Sequence, residues 1–315
     1  MKRVVPFVRV SVLCMLLAIL STRGNSQSVS SGDGKWEAGF SFGPMFFLGD
    51  LGGSAGIGKP FVKDLDFPLT NLSKTLYGAY YPSEMFGLRL AINHGVLKGD
   101  DAKAPAKGGA EMDRLYRNLS FKSSILEGYL VAEIYPTVLF EKYEEMKGKL
   151  RPYIAAGVGI FKMNPKAKDP ATGQWVELQP LRTEGQGFVA GRKPYKLMNM
   201  EFPFGAGIKY WLKENMYIGL EVLHRKLNTD YVDDVSTGYI DRNDFNTIHA
   251  GDPAKAALAG RMYYKGLYPG VGPTSTGIIQ TFQRGDPSEN DAFFSSTFRI
   301  GWRLFAAEDR LTRRQ

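Results

Sequence analysis

Along much of this chain, large apolar residues occupy every second position, with charged, small or hydroxylated residues between them. The last such run, 291–305, sets Phe294, Ser296, Phe298, Ile300, Trp302 and Leu304 on one face against Ser295, Thr297, Arg299, Gly301 and Arg303 on the other. A period of two predicts a strand whose oily face meets lipid or a core and whose polar face meets water or paired charge. Seven earlier segments carry the same signal, near 35–47, 75–81, 86–96, 124–134, 151–161, 197–211 and 216–227. Their faces separate cleanly. In the third strand Phe86, Leu88, Leu90 and Ile92 oppose Gly87, Arg89, Ala91 and Asn93; in the fourth, Leu126, Leu130 and Ile134 oppose Glu127, Tyr129 and Glu133.

The connections alternate in length. Long ones follow the first, third, fifth and seventh strands, and shorter ones, such as the Pro82-Ser83-Glu84 turn, follow the second, fourth and sixth. Outer-membrane β-barrels show that asymmetry, with long loops outside and short turns in the periplasm. The fold class expected is therefore all-β, an eight-stranded antiparallel transmembrane barrel of OmpA-like form. Tyr80, Tyr81, Phe86, Tyr135, Tyr210, Trp211, Tyr217, Trp302 and Phe305 fall near the periplasmic ends, where an interfacial girdle belongs. A secreted β-sandwich would share the alternation of the strands. It would not call for the alternating loop lengths.

The N-terminus supports export. Lys2, Arg3 and Arg9 lead an apolar core from Val10 to Leu20, followed by small polar residues, so 1–26 reads as a signal peptide, 27–305 as the barrel and 306–315 as a short periplasmic tail. An apolar core of about ten residues is too short for a membrane anchor, which needs about twenty. The single cysteine, Cys14, lies inside that leader, leaving a mature chain without thiols. The leader also carries four basic residues and no acid, so the formal charge of +8 falls to +4 without it. That is too weak and scattered for nucleic acid.

An eight-stranded barrel is just wide enough for its own side chains. The expected inward charges are Glu37, Arg89, Glu127, Glu133, Glu201, Lys209, Glu221, Arg225, Arg299 and Arg303, five acids and five bases. A plugged, ion-paired lumen follows.

Few motifs suggest chemistry. Gly53 to Lys59 has phosphate-loop spacing, but Pro60 stands where a hydroxyl should hold magnesium, and a flexible loop is expected. Asp230, Asp233 and Asp234 do not match a calcium loop and read as a solvated face. His94 and Ser124 fall at the outer ends of the third and fourth strands, where a Ser-His pair on the barrel exterior is known in lipid A deacylases. With no carboxylate evident to orient the histidine, no enzyme is expected, and no cofactor or metal.

Five phrases carry a family resemblance: GFSFGPMFFLGDLGG from Gly39, RPYIAAGVGIFKMNP from Arg151, MNMEFPFGAGIKYWL from Met198, MYIGLEVLHRKLNTDYVDDVSTGYID from Met216, and QRGDPSENDAFFSSTFRIGWRL from Gln283. The most telling parts are LGDL, TDYVDD and RGDP with the later ND. Together they resemble the PorG-like outer-membrane proteins of the Bacteroidetes type IX secretion system. The resemblance implies a non-enzymatic secretion component set in outer-membrane lipid and touching a periplasmic ring of PorK and PorN. A structural or adhesive barrel of OmpA type is the alternative, although no peptidoglycan-binding domain follows Phe305; a lipid A-modifying enzyme is a further one. A docking surface is then expected on the longest short connection, 136–149, where about two helical turns would align Leu139, Tyr143 and Met146 beside Glu141, Glu144 and Glu145. The basic end, with Arg310, Arg313 and Arg314, would add to it.

Overall fold

A computed structural model describes residues 34–51, 70–104, 111–141, 146–266 and 284–304. The leader, the Gly53 to Lys59 stretch, Tyr143, Glu144, Glu145 and the tail with Arg310, Arg313 and Arg314 lie outside them.

Eight long strands form the barrel: β1 (Lys35–Leu48), β2 (Asn71–Tyr81), β3 (Phe86–Asp100), β4 (Ser120–Ile134), β5 (Leu150–Lys162), β8 (Met198–Lys213), β9 (Met216–Leu227) and β10 (Ala292–Leu304). Two short strands, β6 (Pro165–Lys168) and β7 (Trp175–Glu177), extend β4 outward. Every barrel strand pairs antiparallel with its sequence neighbour, and β1 pairs with β10, so the sheet closes with no free edge. Closure is what allows a sheet to stand in lipid, because an open edge would leave backbone groups unpaired there. The path of partners runs Trp36, Tyr80, Leu88, Ala132, Ala156, Phe204, His224, Phe294, Phe46. It returns to β1 ten residues from its start, the stagger that tilted strands need to close.

The seventh barrel strand has the expected bounds, and β2, β3 and β4 run further outward than expected, to Asn71, Asp100 and Ser120. The reason lies outside the bilayer. Past the lipid-facing stretch, the strands go on pairing to support a folded lobe.

That lobe is built from segments that the alternation left as plain loops. Besides β6 and β7 it holds α1 (Glu111–Arg117), α2 (Asp244–Ile248) and α3 (Pro253–Met262). Helix α3 starts where Asp252 accepts the Lys255 amide at 2.9 Å and Pro253 takes the first turn. A core of Leu178, Leu181, Tyr239, Ile240, Phe245, Ala259, Met262 and Tyr263 joins the two long loops. Below it, Met45, Leu51, Leu97, Phe121, Ile125, Phe161, Leu227, Val232 and Phe293 form an apolar plug at the outer mouth of the barrel.

The exterior is oily. Leu76, Leu90, Ile92 and Leu220 are 70%, 62%, 62% and 56% exposed, which in water would be a large unpaid apolar surface and in lipid is none. Trp36, Tyr80, Phe86, Tyr210 and Trp302 ring the periplasmic end of that face. With this belt and the alternating connections, the chain is an outer-membrane barrel with its lobe outside.

The girdle expected from sequence needs correction. Tyr81, Tyr135, Trp211 and Tyr217 point inward and are almost fully buried. Glycine makes the room. Tyr217 pairs with Gly301 and Tyr77 with Gly39, and a β-carbon on either glycine would lie 2.4 Å from the facing hydroxyl. Rings on one strand thus cover bare backbone on the next.

Candidate functional site

All ten charges expected inside the barrel are inside it, each no more than 5% exposed. Register explains the result, since every one shares the parity of residues facing the axis. Arg89 donates to both carboxylate oxygens of Glu221, at 3.1 and 2.6 Å, and its Nε lies 3.0 Å from Glu133. Arg299 bridges Glu133 and Glu221 at 3.2 and 3.1 Å. Lys209 reaches Glu37 at 2.8 Å, Arg303 reaches Glu37 at 3.2 Å, and Arg225 reaches Glu127 at 2.8 Å. Tyr81 and Tyr135 donate to Glu133 at 2.5 Å each, and the Lys209 ammonium lies 4.5 to 5.9 Å from the ring centres of Tyr81, Tyr135, Tyr153 and Tyr217. Glu201 stands apart: set against Glu127, it forms no ion pair among the described residues.

This network fills the middle of the lumen with fixed, mutually paired side chains. Burying so many ions is costly unless each has a partner, and removing one partner leaves a stranded charge. The arrangement suits a plug.

At the periplasmic rim, Glu84 collects three cations. Lys35 lies at 2.6 Å and Arg303 at 3.1 Å, with Arg151 also in contact. Burial pushes the Glu84 carboxyl up, but Arg303, Arg151 and Lys35 outweigh it and hold it well below the usual carboxylate range. The next connection departs from the expected two helical turns. It is a 3₁₀ segment, Pro136–Phe140, opened by a proline that fixes the first turn. Of the expected docking residues, Met146 is buried against Trp211 and Tyr217, and Glu141 is held by Arg151 at 2.6 Å and Lys149 at 3.0 Å. Leu139 is 54% exposed, and Phe140, which the helical spacing passed over, is 81% exposed.

At the outer end, the three most telling phrases of the sequence converge. Asp233 accepts the Leu51 amide at 3.1 Å, Asp50 accepts the Asp286 amide at 3.0 Å, and Asp291 accepts the Val232 amide at 2.8 Å. Arg284 ties the lobe to this knot, lying 2.6 Å from Glu184 and 3.4 Å from Asp234. Arg117, paired with Asp101 at 2.7 Å, donates to the carbonyls of Arg284 and Asp50. The expectation of a solvated acidic face is therefore overturned: Asp233 and Asp234 are buried, because their oxygens serve as acceptors for loop amides and hydroxyls. Burial pushes Asp230 up to about 8, with the charges of Asp50 and Glu184 adding to it. Burial likewise pushes Asp50 and Asp234 up to about 6, against the pull of Arg117 on the first and Arg284 on the second. Burial raises Asp233 and Asp291 well above the usual range, with the charges of Asp50 and Asp230 adding to the first and those of Asp233 and Asp230 to the second. Among the described residues, no group of three or more histidines and carboxylates is placed to hold a metal ion.

The outer exterior carries a different charge pattern. Lys74, Lys98, Lys122, Lys162 and Lys226 take outward-facing positions in the outer parts of β2, β3, β4, β5 and β9, and the strand glutamates of the barrel all face inward. Lys122 is braced over the Trp175 ring at 5.0 Å.

His94 and Ser124 also meet there, Nε2 to Oγ, at 3.2 Å. The register sets Val96 opposite Ser124, so the contact is diagonal. Among the described residues no carboxylate hydrogen-bonds to His94. On β9, His224 packs on Phe204, with ring centres 4.8 Å apart.

No family model matches the sequence. No curated protein sequence matches it either. Among solved structures the chain is similar to the outer membrane protein OprG from Pseudomonas aeruginosa, with 12% identity, 90% of this chain and 100% of that chain covered, and a TM-score of 0.34. It is similar to the N-terminal β-barrel domain of Pseudomonas aeruginosa OprF, with 9% identity, coverage of 86% and 98%, and a TM-score of 0.31. A third is Ail, the attachment invasion locus protein of Yersinia pestis, with 8% identity, coverage of 87% and 99%, and a TM-score of 0.34. At such distances no activity passes from those proteins to this one, and the barrel stands on its own register.

Proposed function

We propose that this outer-membrane barrel is a non-enzymatic component of a protein secretion machine, one that docks periplasmic ring subunits on its inner rim. The observation that carries the reading is the pair Leu139 and Phe140. Two large apolar side chains stand out from a rim that is otherwise locked by ion pairs around Glu84 and Glu141. A rigid rim with an exposed apolar knob is what a docking partner needs. The plugged lumen supports the same reading, since a scaffold has no use for a pore. The resemblance to PorG-like proteins of type IX secretion names the candidate partners, the PorK and PorN ring subunits.

The test is co-purification from native outer membranes. Leu139→Asp with Phe140→Asp is expected to lose the periplasmic partners while the barrel still shows its heat-dependent shift in SDS gels. Unchanged recovery of those partners would leave Leu139 and Phe140 as lipid-interface anchors and the chain as a structural or adhesive barrel.

A second reading rests on one contact. His94 and Ser124 are within hydrogen-bond distance on the lipid-facing surface, which is where an enzyme cleaving acyl esters of outer-leaflet lipid would hold its base and nucleophile.

A further inference from the structure

The outer lobe contains a cavity of about 310 Å³, near the lower limit for small-ligand pockets. It opens between the loop that follows β7 and the start of α3. Arg182, Gln186, Tyr195, His249 and Lys255 line it, and none of the residues lining it is acidic.

Three observations point to an occupant. Arg182 is exposed and sits in the left-handed region, with φ 51 and ψ 52, a conformation that strains a non-glycine residue. The short 3₁₀ turn before it, Gln179–Leu181, is fixed by a proline and by the His249 ring against the Leu181 carbonyl at 3.0 Å. Gln186 is 1% exposed: its carbonyl oxygen accepts the Glu184 amide at 3.2 Å, and its Nε2 has no acceptor among the described residues. A buried amide donor without a partner loses hydrogen-bond energy that a ligand oxygen can restore. Tyr195 closes the base, held by its stack on Tyr231 at 4.6 Å and by its hydroxyl donating to Asp234 at 2.6 Å.

We propose that this cavity is a binding site for a small anion of about hexose size, one carboxylate or phosphate on a polar body, taken up from the medium outside the cell. Arg182 and Lys255 receive the charge, and the Gln186 Nε2 donates to a ligand oxygen. The flat face of Tyr195 sets the plane of the body. The site is independent of the docking rim, which lies at the opposite end of the barrel.

The purified full-length protein in detergent micelles is titrated with glucuronate, glucose 6-phosphate, inorganic phosphate and uncharged glucose, and binding is read by calorimetry or by ligand-observed NMR. Binding of glucuronate or glucose 6-phosphate, absent for glucose, is expected. Which of the two binds more tightly separates a carboxylate ligand from a phosphate ligand, and phosphate alone binding as well as the sugar anions would remove the proposed sugar-sized body. Arg182→Gln with Lys255→Gln is expected to weaken binding about tenfold or more, with the heat-dependent gel shift and near-UV spectrum unchanged. Should that double variant misfold, Gln186→Glu, which sets an acid facing the ligand, is expected to give the same loss. Glucose binding as well as glucuronate, no binding of any of the anions at tens of millimolar, or an undiminished affinity in the folded variants would overturn the assignment.

Discussion

Arg89 on β3 and Glu221 on β9 form a two-pronged ion pair straight across the barrel, between residues 132 positions apart in sequence. Arg299 and Glu133 complete the square around them. Replacing Arg89 or Arg299 by Leu leaves Glu133 and Glu221 to share one guanidinium in place of two, and removal of one partner from a buried ion pair costs up to about 3–5 kcal/mol. The variants are expected to unfold at lower temperature in detergent and to lose their heat-dependent gel shift, without gaining conductance. Wild-type protein that passes steady current in planar bilayers would show that the plug is not one.

The outer knot is expected to depend on pH. Asp50 and Asp234 are raised to about 6 and Asp230 to about 8, so the folded knot holds protons that the unfolded loops, with pKa values near 3.8, release. Stability from these groups is full at pH below about 4 and is lost as pH climbs through the folded values. Arg117 and Arg284 supply the neighbouring positive charge, and Glu184 and Asp286 the further negative charge. Hydrogen exchange of the Leu51, Val232 and Asp286 amides is expected to quicken, relative to its intrinsic rate, between about pH 5 and pH 8.5. Asp230→Asn is expected to flatten that profile. A profile already flat in the wild type would remove the buried acids as its cause.

The five outer lysines are expected to hold phosphate-bearing lipid. Each cation near an anionic surface contributes about 1 kcal/mol. Lys98→Ala, Lys162→Ala and Lys226→Ala together are expected to lower the melting temperature in bilayers containing lipopolysaccharide and to leave it unchanged in neutral detergent. An equal drop in both media would assign the lysines to packing instead.

Period two sufficed for the strands and for the lumen charges, because one parity along a closed sheet must face the axis. Arg299, Glu221 and Glu133 were legible for that reason. Parity also sets Tyr217 inside, on the face away from Ile218 and Leu220, although its place at the end of a strand suits a girdle. The signal that decides the matter is Gly301 on the next strand, which leaves room for the ring. The lobe was not legible. Its core residues, such as Leu181, Ile240 and Phe245, come from short turns without a period, brought together by loops that only the barrel holds close. Glu184 and Arg117 gave no local sign of their roles, since their partners lie in distant loops. LGDL, TDYVDD and RGDP were visible as phrases that no strand required, and they turned out to be the knot.

The His94 and Ser124 contact separates a scaffold from an esterase. For catalysis, His94 Nε2 would take the Ser124 proton as the hydroxyl attacks an acyl ester, and the developing oxyanion would need donors about 3 Å away. At this site β3 and β4 pair with Val96 opposite Ser124 and Gly95 opposite Ile125, so the amides that face across this ladder are taken up by it and do not serve as an oxyanion hole. Among the described residues the histidine also has no orienting carboxylate. His94→Ala and Ser124→Ala are therefore expected to leave lipid A masses as they are in the wild type. Loss of the whole chain is expected to strand secreted cargo in the periplasm. Mass spectra of lipid A from the wild type, the deletion strain and both variants decide between the readings: a shift of one acyl chain that depends on His94 and on Ser124 would make this barrel an enzyme.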